Sequence, residues 1–301
     1  MRATVVQLRS RYPASVIEAR AGAPFTDQDI AIELQGDSDV FAPDGSLLCK
    51  LRRAAVSGEV SARAFPHLVH AAQTHASNNR GLYAGLPRVA RPGSKQAPTV
   101  DPLTGKPVAI QSAVAGYFEP QGGRFPFCRA TVFTADETDR WNEVLPLVHD
   151  VASIYLREVP RRYEVQRAYA EACSADFRIA GTPFSTLTIN HNVAGSIHQD
   201  KGDLKEGFGV ITCHRRGSYT GGRLGFPQYK VGVALEDRDV IFFNPHDWHG
   251  VTPIVSDDPD HARVSVVYYF RAALRRCGSA ADELTRAKAR GTLEDPHATA
   301  D

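Results

Sequence analysis

Residues 181–203 read GTPFSTLTINHNVAGSIHQDKGD, residues 242–254 read FFNPHDWHGVTPI, and residues 262–271 read ARVSVVYYFR. Their reading decides the fold. β-Branched and aromatic residues come in short runs separated by Gly, Pro and Asn, the signature of brief strands joined by turns. Residues 182–189 alternate, 208–213 form a short apolar run, and RRGSYTGG (215–222) is rich in turn residues. The runs 230–235, 240–243 and 263–270 add three more strands. Strands this short and this often interrupted predict an antiparallel sandwich or jelly roll.

The same stretch gathers metal-binding side chains. His198 and Asp200 flank Gln199 after a strand-like run. In an extended chain, residues i and i+2 point to one face, so both side chains can reach one ion. His249 follows the strand at 240–243 and would arrive from across a sandwich. Two histidines and one carboxylate leave three adjacent octahedral positions open, the set used by non-haem Fe(II) oxygenases. Farther on, alternation puts Arg263, Ser265, Val267 and Tyr269 on one face of their strand. An arginine in an apolar strand is costly without a partner. A carboxylate held bidentately, with the Ser265 hydroxyl beside it, resolves that cost. 2-Oxoglutarate offers such a carboxylate at one end and can chelate iron at the other. An internal Asp or Glu is the alternative partner.

Upstream, residues 56–76 read as a helix broken or begun near Pro66, and 77–107 as a long Gly/Pro-rich loop of the kind that carries function. Runs at 110–117 and 128–134 look like strands. Residues 135–159 place Trp141, Val144, Leu145, Val148, Val151, Ile154 and Tyr155 at helical spacing, capped by Thr134 or Asp136. Pro160 ends or kinks that helix and 161–173 resumes it, the pair serving as a buttress.

Composition sets bounds. A chain of 301 residues, 43% hydrophobic, can bury a full core. Net charge is +1, yet residues 51–130 hold ten Lys/Arg against three acids, a segment suited to phosphates or to a solvated surface. Five scattered cysteines with no C-x-x-C pair speak against a zinc ribbon or a disulfide framework and suit a reducing cytoplasm. No run approaches 18 apolar residues and the first 15 lack a signal-peptide core, so no membrane span is expected.

These residues together resemble the Fe(II)/2-oxoglutarate-dependent dioxygenases. The fuller set resembles their TET/JBP branch, which oxidises the 5-methyl group of thymine or 5-methylcytosine in nucleic acid. The pieces that carry the resemblance are SNNRG (77–81), TLTIN (186–190), HQDKGD (198–203), YTGG (219–222), HGVTP (249–253) and RVSVVYYFR (263–271). The resemblance implies an α+β fold whose core is a double-stranded β-helix, of the jelly-roll or cupin kind, buttressed by N-terminal helices. It implies a single domain over 1–275, with an N-terminal α/β region (1–180) bearing the basic substrate loop, a β-helix core (181–275), and a tail (276–301). It implies Fe(II), 2-oxoglutarate and O2 as cofactor and co-substrates. His198, Asp200 and His249 take the place of iron ligands, and Arg263 with Ser265 that of the 2-oxoglutarate site. Asn190 is read either as reaching the co-substrate or as a structural hydrogen-bonding residue. Asp203 occupies the position that reads a flipped base. Arg271 stands where cytosine-oxidising members often carry His, which favours thymine, with 5-methylcytosine open. Asn78 and Arg80 would lie on the loop covering the base or its phosphates. DNA is therefore the expected partner, and a free small molecule the alternative substrate. Among the neighbours, His246 and His191 are read as surface or supporting residues, Asp247 as orienting a ligand histidine, and Trp248 and Tyr229 as core-side aromatics.

Overall fold

In a computed structural model, residues 3–9, 11–77, 80, 83–86, 99–101, 104–121 and 125–289 are described. The N-terminal half supplies β1 (Thr4–Gln7), α1 (Ala14–Glu18), β2 (Ile32–Glu33), β3 (Ser38–Phe41), β4 (Leu47–Arg52), α2 (Gly58–Thr74), β5 (Ser112–Phe118) and β6 (Arg129–Ala130). Three helices follow: α3 (Val132–Asp136), α4 (Thr138–Glu158) and α5 (Pro160–Glu171). The rest is mostly β: β7 (Thr186–His191), β8 (Gly195–His198), β9 (Gly209–Arg216), β10 (Thr220–Gly221), β11 (Arg223–Phe226), β12 (Val231–Ala234), β13 (Val240–Phe243), β14 (His249–Val251), β15 (Ile254–Val255) and β16 (Ala262–Tyr269). Helix α6 (Ala280–Ala289) closes the described chain.

Two sheets carry the architecture. A nine-stranded sheet runs β1-β3-β4-β13-β9-β16-β7-β5-β6, and a five-stranded sheet runs β2-β12-β11-β14-β8. Alternation assigns each strand's two faces to different cores. On β16, Val264, Val266 and Tyr268 pack with Leu147, Val151 and Tyr155 of α4, so the helices cover the outer face of the large sheet. On β13, Val240 and Phe242 join that layer, whereas Ile241 and Phe243 turn inward against Phe226, Val231 and Val233 of the small sheet. The result is helices on sheet on sheet, and the inner face of β16 looks into the gap between the sheets.

Several expectations need correction. Helix α2 runs unbroken through Pro66, because burying Ala64, Leu68, Ala71 and Ala72 outweighs the lost N–H. Of 128–134, only Arg129–Ala130 pairs as strand; the Thr131 side chain accepts from Thr134 N and starts α3 instead. The β core is not confined to 181–275, since β1, β3 and β4 extend the large sheet beside β13. A disulfide joins Cys128 to Cys277, against the expectation of none, while Cys49, Cys173 and Cys213 are free and buried. Residues beyond 275 are tied in by that bond and by Glu283, which accepts from Cys128 N (2.7 Å) and Gly278 N (2.8 Å). No helix among the described residues is long and apolar enough to cross a membrane.

Candidate active site

Strands β8 and β14 are antiparallel neighbours with His198 directly opposite His249. Asp200 follows two residues past His198, its N–H donating to Pro245 O at 2.9 Å. Its carboxylate lies 3.7 Å from His198 Nε2 and 3.5 Å from His249 Nε2. One ligand atom from each of the three residues lies within 4.8 Å of the others. The second nitrogen of each ring is committed: His198 Nδ1 meets Ser196 O at 2.7 Å and His249 Nδ1 meets Asp247 O at 2.8 Å. A carbonyl only accepts, so Nδ1 carries a proton in each ring and Nε2 is the atom turned toward Asp200. In the metal-free protein burial lowers the His249 pKa, but Asp200 more than offsets this by accepting from its Nε2–H, a proton that a metal ion would displace. Asp247 thus orients a ligand histidine as expected, but through its backbone rather than its carboxylate. Burial drives His198 down to about 4, keeping it neutral. Burial opposes ionisation of Asp200, yet the hydrogen bond and charge of His249, with His198 and Arg80, hold it near 2. A carboxylate and two imidazoles with converging lone pairs form a donor set suited to a divalent first-row metal.

Arg263 faces the same space. It is 1% exposed, and its Nε and Nη1 have no hydrogen-bond partner. Among the described residues no acid forms an ion pair with it, so the internal-carboxylate alternative finds no support. Gly222 makes room for the guanidinium, and the neighbouring Gly221 for the backbone at Pro253. A Cβ on Gly222 (φ +63°) would stand 2.9 Å from Arg263 Nε, and one on Gly221 (φ +76°) would meet Pro253 O. Ser265 lies opposite Asn190 of β7, whose Oδ1 accepts from Ser112 Oγ at 2.6 Å.

These groups line one cavity of about 190 Å³, together with Arg80, Asp203 and Arg271. Every site residue expected from the sequence therefore borders it except Asn78, which lies outside the described residues. Several wall residues were given no role from the sequence, Tyr83, Thr188 and Tyr269 among them. Tyr83 sets its ring edge-on to His198 at 4.7 Å, and its carbonyl accepts from Ser196 N at 2.6 Å. Thr188 accepts from Arg80 Nη2 at 3.2 Å, and Tyr269 completes the face of β16. Alternation in β7 and β16 was a usable signal for Thr188 and Tyr269; for Tyr83 there was only its nearness to Arg80. At the far end, Arg271 is clamped by both carboxylate oxygens of Glu119, a partner that no local pattern announced. The Asp203 carboxyl is held well above the usual range by burial and by the charges of Asp200 and Glu119, with Arg271 opposing.

The remaining candidates fall elsewhere. His191 Nδ1 is bonded to Gln111 Oε1 at 2.5 Å, and neither it nor His246 belongs to the converging triad. Trp248 packs beside Phe25 and Ile197, and Tyr229 against the inner core. The basic excess at 51–130 is partly internal. Arg52 pairs with Asp39 and Glu158, Arg53 with Asp239, and Arg63 with Glu143. Arg88, Arg91, Lys95 and Arg124 lie outside the described residues.

Residues 113–272 match the family model Tet_JBP, the oxygenase domain of the 2OGFeDO superfamily. Among curated proteins, the chain is 35% identical over 191 residues to thymine dioxygenase JBP1 of Leishmania braziliensis, covering 62% of this chain and 23% of that protein. It is 36% identical over 174 residues to the Leishmania tarentolae protein of the same name, covering 57% and 21%. The chain thus spans about a fifth of the length of these relatives. Among solved structures, the NgTET1 complex with 5mC DNA aligns with a TM-score of 0.61 at 12% identity, covering 96% of this chain and 91% of that one. That likeness shows the fold to be the double-stranded β-helix of these oxygenases.

Proposed function

We propose, from the premise that the chain belongs to the Tet/JBP family of oxygenase domains in the 2OGFeDO superfamily, that it is an Fe(II)- and 2-oxoglutarate-dependent dioxygenase hydroxylating the 5-methyl group of thymine in DNA. The observation that carries this reading is the cavity where His198, Asp200 and His249 converge beside the unpartnered, buried Arg263. The residues present fit the group: three ligand atoms converge, and an orphaned guanidinium awaits a carboxylate. When bound, Fe(II) with 2-oxoglutarate and O2 supplies the oxidation, in which a methyl C–H becomes an alcohol while 2-oxoglutarate becomes succinate and CO2. His198, Asp200 and His249 hold the metal. Arg263 takes the distal carboxylate of 2-oxoglutarate bidentately, with the Ser265 hydroxyl alongside and Asn190 on the adjoining wall.

A base methyl reaches such a cavity only if the nucleotide leaves the stack, which costs a few kcal/mol. Asp203, with Arg271 alongside, takes the hydrogen-bonding edge of that base. Arg80, bonded to Thr188 on the cavity wall, is assigned to the base or its phosphates, and Asn78 to the same loop. Tyr83 shields the His198 side of the metal from water. Thymine is preferred to 5-methylcytosine because the relatives at 35–36% identity carry the name thymine dioxygenase, whereas the 5mC complex is 12% identical. The cytoplasm is the proposed compartment on the strength of three cysteines that remain free and buried, while the Cys128–Cys277 disulfide weighs against it.

The test is incubation with Fe(II), 2-oxoglutarate, ascorbate and duplex DNA, followed by digestion and mass spectrometry of the nucleosides. Hydroxymethylated thymidine is expected, and it should vanish with succinate formation in His198→Ala. Succinate release driven by a free metabolite, with no oxidised nucleoside, would instead establish a small-molecule hydroxylase on the same site.

A further inference from the structure

Arg271 and Asp203 face each other across an isolated antiparallel bridge. Directly opposed residues in such a bridge project to the same face with their Cβ atoms about 5 Å apart, and opposite charges placed this way pair by default. Here they do not. Arg271 directs Nε and Nη2 to the two oxygens of Glu119, just past the end of β5. Those two donors form the side-on edge of the guanidinium, which Glu119 occupies, and no hydrogen bond or ion pair among the described residues joins its remaining N–H groups to Asp203. The rings of Phe118 and Tyr269, with centroids 5.6 and 6.0 Å from Arg271 Cζ, flank the guanidinium. Asp203 is left without a hydrogen-bond or ion-pair partner among the described residues, on the cavity wall.

We infer that Glu119 is a positioning residue for substrate recognition: by sequestering Arg271 it keeps the Asp203 carboxyl free to meet the substrate base. The inference rests on the reading that Asp203 and Arg271 face that base. Burial, with the charges of Asp200 and Glu119, raises the Asp203 carboxyl above its usual range, and the charge of Arg271 offsets this only in part. Without Glu119, the cross-strand geometry lets Arg271 close onto Asp203, and an incoming base has to break that pair.

A double-mutant cycle tests this on the Fe(II)-loaded full chain with duplex DNA, comparing wild type, Glu119→Gln, Arg271→Gln and the double variant. Glu119→Gln keeps the side-chain shape and should raise the KM for DNA by about tenfold, leaving kcat and the KM for 2-oxoglutarate within about twofold. In the Arg271→Gln background the same change should alter nothing, because no guanidinium remains to be held. An unchanged KM in Glu119→Gln, or an equal penalty in both backgrounds, overturns the inference. Succinate formation without DNA checks that each variant folds. If Glu119→Gln alone does not fold, the comparison of Arg271→Gln with the double variant decides. A wild-type chain that oxidises no DNA overturns the proposed function instead, and that outcome is visible before any variant is made.

Discussion

Replacing Arg263 by methionine should stabilise the protein in the absence of co-substrate and abolish its response to 2-oxoglutarate. The side chain is 1% exposed and two of its donors, Nε and Nη1, are unpartnered. A buried donor left unsatisfied costs about 1–3 kcal/mol, and more when charged. Methionine fills similar space with a flexible apolar chain and no donor. After allowance for imperfect packing, the net gain is about 2 kcal/mol. Ligand linkage works in the opposite sense. At a hundredfold excess over Kd, 2-oxoglutarate should stabilise the metal-loaded wild type by about 2.7 kcal/mol and the variant by nothing. Urea unfolding of anaerobic, metal-loaded protein, with and without 2-oxoglutarate, measures both quantities. A guanidinium matched to an internal acid would give the reverse sign, since breaking a buried pair costs about 3–5 kcal/mol. Loss of stability without ligand, or an undiminished ligand effect in the variant, therefore refutes the reasoning.

Two further predictions follow from local geometry. Gly222→Ala puts a Cβ 2.9 Å from Arg263 Nε and 3.0 Å from its Cδ at a φ of +63°, so it should raise the KM for 2-oxoglutarate before that for DNA and cost about 1–2 kcal/mol of stability. Equal KM values for 2-oxoglutarate in variant and wild type would show that Gly222 does not seat the arginine. His214 is wholly buried between the hydroxyls of Ser61 (2.8 Å) and Thr212 (2.9 Å), and burial lowers its pKa from 6.5 to about 4. Above 6.5 neither folded nor unfolded chain binds this proton. Between 6.5 and about 4 only the unfolded chain does, so the folded state loses up to about 3 kcal/mol as pH falls. Urea midpoints of wild type and His214→Gln should converge from pH 7 to pH 4, and parallel pH profiles would exclude this role.

The period-two pattern at 263–270 was enough to sort Arg263, Ser265, Val267 and Tyr269 from Val264, Val266 and Tyr268, and the first set lines the cavity while the second packs under the helices. Pairing was less accessible. Nothing in three- and four-residue strands says that β8 lies against β14, although His198 and His249 owe their meeting to that register. The same holds for β4, which docks on β13 from the other end of the chain. Counting charge along the sequence also failed where it mattered. Arg52, Arg53 and Arg63 look like surplus between 51 and 130, but their acids are Asp39, Glu158, Asp239 and Glu143, brought in by the fold. Cys128 and Cys277 are 149 residues apart, so their spacing carried no sign of their bond.

Arg263 and Arg271 show why residue type alone cannot assign a site. Both sit at the ends of the strand run that closes the cavity, both are largely removed from water, and in sequence both read as ligand-binding arginines. Only their partners separate them. Arg263 has two orphaned donors and no ion-pair partner among the described residues, a costly state that a carboxylate ligand would relieve. Arg271 is already completed by Glu119, so it has no such need, and the unmet demand passes to Asp203 across the bridge. At the co-substrate end the cavity presents a cation without an anion. At the substrate end it presents a carboxyl without a donor. A dicarboxylate fits the first and a pyrimidine edge bearing an N–H fits the second. The two unmet demands thus separate two kinds of ligand that one cavity can accept, an anion at Arg263 and a hydrogen-bond donor at Asp203.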